Sequence, residues 1–144
     1  MTTEVTSTPV KSRKGLRLTF AWIALVHAVL VFAQPILAGM SLEGDDSALD
    51  MHYFNGMTIM TIAAVQIIAA LLWWKPGGGP SRALALSAVL LGLEVAQFLL
   101  GDAGKLAIHL PLGIITLLGA AMVASMGFRD SHGKEVETTP REQA

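Results

Sequence analysis

Four apolar runs dominate the chain: Leu16–Met40, Met51–Trp74, Ala83–Leu100 and Leu106–Phe128. A helix needs about 20 apolar residues to cross the hydrocarbon core of a bilayer. Over such lengths in lipid, helices satisfy every backbone polar group internally. The predicted fold class is therefore all-α: an integral membrane four-helix bundle. The third run is the shortest and also carries Glu94, so it is expected to cross with little tilt.

Composition agrees. Charged residues make up 15% of the 144, against roughly 25% in an average soluble domain. A charge deficit of that size excludes a disordered chain and disfavours a soluble enzyme. There is no cysteine. That removes disulfides, thiolate zinc sites, thiol catalysis, iron–sulfur clusters and covalent C-x-x-C-H haem attachment. The net charge of −1 gives nucleic acid no electrostatic foothold.

Turn chemistry separates the runs. Gly44-Asp45-Asp46-Ser47 divides the first two, Lys75 to Ser81 the second and third, and Gly101-Asp102-Ala103-Gly104 the last two. Short second and third connections predict antiparallel neighbours. Nine of the ten basic residues fall on one side, and only Lys105 falls on the other. The positive-inside rule makes the basic side cytoplasmic, with both termini there. Trp22, Trp73 and Trp74 lie near that boundary, where indole rings favour the headgroup layer. The domain reading is a disordered basic N-terminus over 1–15, a transmembrane domain over 16–128 and a disordered tail over 129–144. A cleaved signal peptide is the rival reading of the start. The first run exceeds a typical h-region of about 7–15 residues, and no A-x-A site follows it.

The two halves resemble each other. Ala33-Gln34 near the end of the first run matches Ala96-Gln97 near the end of the third. His52-x-x-x-Gly56 opens the second run and His109-x-x-x-Gly113 the fourth. Gln34 and His52 are 18 positions apart, Gln97 and His109 only 12. The difference reads as an insertion in the external loop. Both copies begin on the same side, so the chain reads as a duplicated, parallel helix-pair repeat.

Each helix carries one polar stripe on an otherwise apolar surface. The stripes are His27 with Gln34, His52 with Gly56 and Gln66, Ser87 with Glu94 and Gln97, and His109 with Gly113 and Thr116. Such stripes are expected to face one another inside the bundle. Glu94 is costly there, about 2.5–3.5 kcal/mol on insertion scales. Counted along the helices, His27 lies at similar depth, so the two form a candidate pairing or proton-handling site.

His52 and His109 carry the main functional inference. Both lie at external helix ends, and on diagonal helices they would oppose each other across the bundle. That arrangement suits a haem iron with two axial histidines. Gly56 and Gly113, one turn deeper, offer backbone for a flat macrocycle to pack on. Gln34 and Gln97 are expected to shape the site or bond a cofactor edge. Met51 and Met57 are rival ligands that more often serve packing. A zinc site would need more ligands than the pair offers.

The pattern resembles one four-helix half of haem A synthase, with paired histidines on the second and fourth helices. In size it is similar to small bacterial four-helix membrane proteins with histidine at the start of those helices. The resemblance covers about Leu18 to Gly127. It implies haem b as cofactor, a lipid bilayer as surroundings and the bacterial cytoplasmic (inner) membrane as location. The synthase's E-x-x-H arrangement is missing: Leu49 and Leu106 stand three before the histidines, and Asp50 is on another face. Methyl oxidation of haem is thus not implied, whereas electron transfer and haem handling are. Two other functions compete. One is a cofactor-free accessory or assembly subunit of a larger membrane (respiratory) complex, with the polar stripes as interhelical glue. The other is a small transporter using Glu94 and His27 as a proton relay.

Overall fold

A computed structural model describes residues 10–129 of the protein. It consists of four α-helices: α1 (Val10–Leu42), α2 (Asp46–Trp74), α3 (Ser81–Asp102) and α4 (Leu106–Arg129). All four are long and apolar enough to cross a membrane. Each helix packs on its neighbours in the chain, and α1 closes the ring against α4. Thus α1 faces α3, and α2 faces α4, only across the diagonal. The helix α1 begins six residues before the apolar run. Lys11, Arg13 and Lys14 are good helix formers, and positions 10–15 are part of α1. The rest of both expected tails, with His132, lies outside the described residues.

Packing differs between the two ends of the bundle. At the end where α1 starts, hereafter the basic end, Phe20, Ala21, Ala24, Ala70, Ala83 and Ala124 are buried. Such small side chains let the helices approach closely. One such approach is at Gly127, where a Cβ would lie 2.6 Å from that of Ala21. Arg17 also donates to the Gly127 carbonyl at 3.0 Å. Gly127→Leu is expected to force α1 from α4 and cost about 1–3 kcal/mol. Thermal unfolding in detergent measures this.

Trp73 departs from its expected place in the headgroup layer. It is 3% exposed and packs on Phe20 at 5.0 Å. The following turn folds back over it, with the Gly79 amide donating to the Trp73 carbonyl at 2.9 Å. Gly79 lies against the indole ring and leaves no room there for a side chain. Trp22 is exposed, and Trp74 carries the Lys75 ammonium over its ring.

At the opposite end, the histidine end, α1 joins α2 and α3 joins α4 through the same turn. Gly44 and Gly104 take matching places in it with φ of +101° and +66°, where a side chain is strained. The Asp45 amide donates to the Met40 carbonyl as the Lys105 amide donates to that of Leu100. Asp45 also caps α2 through the amides of Ser47 and Ala48. The Ser47 hydroxyl beside it, with those amides, holds its carboxyl below the usual carboxylate range. The expected loop insertion is therefore not a loop. Eight residues of α1 follow Gln34 where five of α3 follow Gln97, and six of α2 precede His52 where three of α4 precede His109. The six extra positions lengthen each helix of the first pair by three residues, about 4.5 Å of rise.

Candidate functional site

Above the level of Val31, Ile59, Glu94 and Thr116, only Ala48 is fully buried among the described residues. Gln34, His52, Asn55, Gly56, Gln97, His109 and Gly113 are all half-buried there. The histidine end of the bundle therefore lacks the close core of the basic end.

Within this space His52 and His109 face each other from the diagonal helices. Their ring centroids are 6.2 Å apart, with the planes turned 59°. His52 Nδ1 lies 3.1 Å from the Gln34 carbonyl oxygen, and His109 Nδ1 2.9 Å from that of Gln97. A carbonyl only accepts, so each Nδ1 carries a proton and donates it. In the neutral ring that leaves the Nε2 lone pair unprotonated and available. Fixing Nδ1 in this way is how proteins orient a metal-binding imidazole. Gly101 gives the His109 ring its room, since a Cβ there would lie 3.1 Å from Cε1.

The arrangement has a pseudo-two-fold character. Gly56 lies under the Gln34 amide and Gly113 under that of Gln97, with Cβ-to-Nε2 separations of 3.2 and 2.8 Å. The glycines were expected to leave room for a macrocycle. In the structure that room is taken by the glutamine side chains. The glutamines, expected at a cofactor edge, act through their backbone carbonyls on the imidazoles. Gly113→Ala should be accommodated by a small shift of the Gln97 amide. Gly113→Leu should displace Gln97 altogether and loosen His109, read as a fall in ligand affinity of about tenfold or more for a disturbed supporting contact.

Asn55 is a residue that the sequence reading missed. Its amide donates to the Leu30 carbonyl at 2.9 Å and to Gln34 Oε1 at 3.1 Å. The signal was an amide inside an apolar run, three residues from His52. Its repeat counterpart is Leu112, which has nothing to donate. Gln97 Oε1 is accordingly buried without a partner among the described residues.

A second polar cluster lies deeper. His27 Nε2 is 2.7 Å from Glu94 Oε1, and His27 Nδ1 is 2.8 Å from Gln66 Oε1. Gln66 Nε2 donates to Ser87 Oγ at 2.9 Å, and Ser87 Oγ donates to the Ala83 carbonyl at 2.8 Å. All four side chains are at most 5% exposed. In the repeat, His27, Ser87, Glu94 and Gln66 correspond to Leu90, Ala24, Val31 and Val123. Every counterpart is apolar and buried. The upper pair is thus symmetric and the lower cluster is not.

Two ligands suffice for iron only where a macrocycle supplies the rest. Among the described residues no group of three or more His, Cys, Asp and Glu is placed to hold a bare metal ion. An iron about 2 Å from each of two imidazole nitrogens sets the ring centroids roughly 6 Å apart. The 6.2 Å observed fits that requirement. No known protein family matches the chain, and no curated protein or solved structure is similar to it.

Proposed function

We propose that the protein is a multi-pass membrane protein holding one b-type haem between His52 and His109, for electron transfer or haem handling. One observation carries the reading: two opposed imidazoles 6.2 Å apart, each with Nδ1 committed to a backbone carbonyl. Held by His52 and His109, a haem would supply one-electron chemistry there. The chain supplies the two Nε2 atoms, the carbonyls that orient them and the half-buried space between. The test is a visible spectrum of protein purified from haem-replete cells. A sharp reduced α-band is the expected result, and a colourless protein overturns the reading.

The glutamine amides over Gly56 and Gly113 favour a second reading. On it the protein is a cofactor-free accessory or assembly subunit of a respiratory or other membrane complex. The polar groups are then interhelical bonds worth about 0.6 kcal/mol each.

The orientation proposed is basic end inward, in a bacterial cytoplasmic membrane. It rests on nine basic residues against one. A reporter that works only in the cytoplasm should be active when fused after Ala144, and activity of an external reporter there reverses the orientation.

A further inference from the structure

The proton count of the deeper cluster can be worked out from its hydrogen bonds. Ser87 gives its hydroxyl proton to the Ala83 carbonyl, so it accepts from Gln66 Nε2. Gln66 Oε1 therefore faces His27 Nδ1, which must be the donor. What remains between His27 Nε2 and Glu94 Oε1, 2.7 Å apart, is a single proton. On either atom it leaves the pair neutral overall. Glu94 Oε2 is buried and has no partner among the described residues. It is the one place in the cluster where a second proton has a lone pair waiting.

The two sides of the pair differ in polarity. Towards the basic end the interior is Phe20, Ala24, Ala70, Trp73 and Ala83, all buried. Towards the histidine end the next interior acceptor is Gln97 Oε1, one turn from Glu94 on the same helix and also without a partner. Beyond it lie Asn55, Gln34 and the half-buried histidines.

We propose that the His27–Glu94 pair is a proton-uptake site, filled from the histidine end and coupled to the charge held between His52 and His109. This rests on the haem reading above. With haem bound, one electron from an external one-electron donor would be held between His52 and His109, and one proton from water would bind Glu94 Oε2. The pair then carries +1 against the added electron, and no covalent bond of the chain breaks. The charges are close enough to feel each other. His27 lies seven residues below Gln34, about 10 Å of helix rise. At that distance and an effective dielectric of about 20, one charge alters the other's affinity by roughly tenfold. Other titratable groups are few. The buried polar side chains of α2 and α4 at this depth, Gln66 and Thr116, do not titrate. His52 on α2 and His109 on α4 lie above, and Arg17 on α1 is bonded to the Gly127 carbonyl at the basic end.

The test is a redox titration of the haem-loaded protein across pH, with dithionite as reductant. Wild type should show a midpoint potential that falls with pH by about 59 mV in all, the tenfold coupling for one electron, with a slope that peaks near half of that per pH unit. Glu94→Gln keeps the donor to His27 Nε2 and removes the titrating oxygen, so its slope should flatten. A slope unchanged in Glu94→Gln, or a wild-type potential independent of pH, overturns the proposal while leaving the haem reading intact. Protein that purifies colourless overturns the haem reading and this proposal with it. If Glu94→Gln does not accumulate, His27→Gln replaces it, and a sloping window that stays within about one pH unit of wild type overturns the coupling.

Discussion

His52→Ala and His109→Ala are each expected to abolish the low-spin spectrum completely. On the haem proposal each imidazole would supply one nitrogen to the iron, and no third histidine stands by among the described residues. His27 cannot substitute, because it lies about 10 Å of helix rise below the site with both nitrogens engaged in the deeper cluster. The two variants should fail alike, since the contacts that orient the rings are alike. Haem should remain attached more weakly and in a high-spin state, or be lost. His27→Gln should leave the low-spin bands in place. Retention of the wild-type spectrum in His52→Ala would remove His52 from the iron.

The second large effect concerns His27. His27→Leu leaves the Glu94 carboxyl and Gln66 Oε1 buried without their partner. Breaking one side of a buried pair costs about 3–5 kcal/mol, a large share of the roughly 5–15 kcal/mol that holds a protein folded. Glu94→Gln should cost far less, because its amide donates to His27 Nε2 while Nδ1 still donates to Gln66. The double change His27→Leu with Glu94→Val should recover most of the loss. It installs the residue types already found at the symmetry-related positions, Leu90 and Val31, and well-packed apolar replacements of a buried pair are often neutral. Unfolding in a detergent series orders the variants. A double variant no better than His27→Leu would contradict this account.

Much of the fold was legible in the sequence because lipid imposes a coarse rule, a long apolar run per crossing. The short turns and the paired His-x-x-x-Gly motifs gave the helix order and the opposed histidines. Depth counting placed His27 level with Glu94, and the structure sets them 2.7 Å apart. Three details were hidden for physical reasons. Counting residues between Gln34 and His52 cannot distinguish a longer loop from two longer helices. The partners of the imidazoles are backbone carbonyls, which every residue carries and no letter marks. Trp73 has the composition of an interfacial anchor, and only the glycine turn folded over it reveals a core residue. The glutamine amides over Gly56 and Gly113 were not legible either, because a missing side chain says that something approaches, not what.

The asymmetry of the lower cluster bears on the order of synthesis. The first helix pair leaves the ribosome before the second, and on its own it carries every element of half the upper site. Two newly made first pairs from neighbouring chains could therefore meet through His52 and mimic the finished bundle. In such a mismatched assembly His27 would meet Val31 of the other copy in place of Glu94, and Gln66 would meet Ala24 in place of Ser87, with no carboxylate or serine to bond. Within one chain the cluster draws His27 and Gln66 from the first pair, and Ser87 and Glu94 from the second. A repeat that invites like to join like thus carries, one layer down, a lock that opens only to the unlike half.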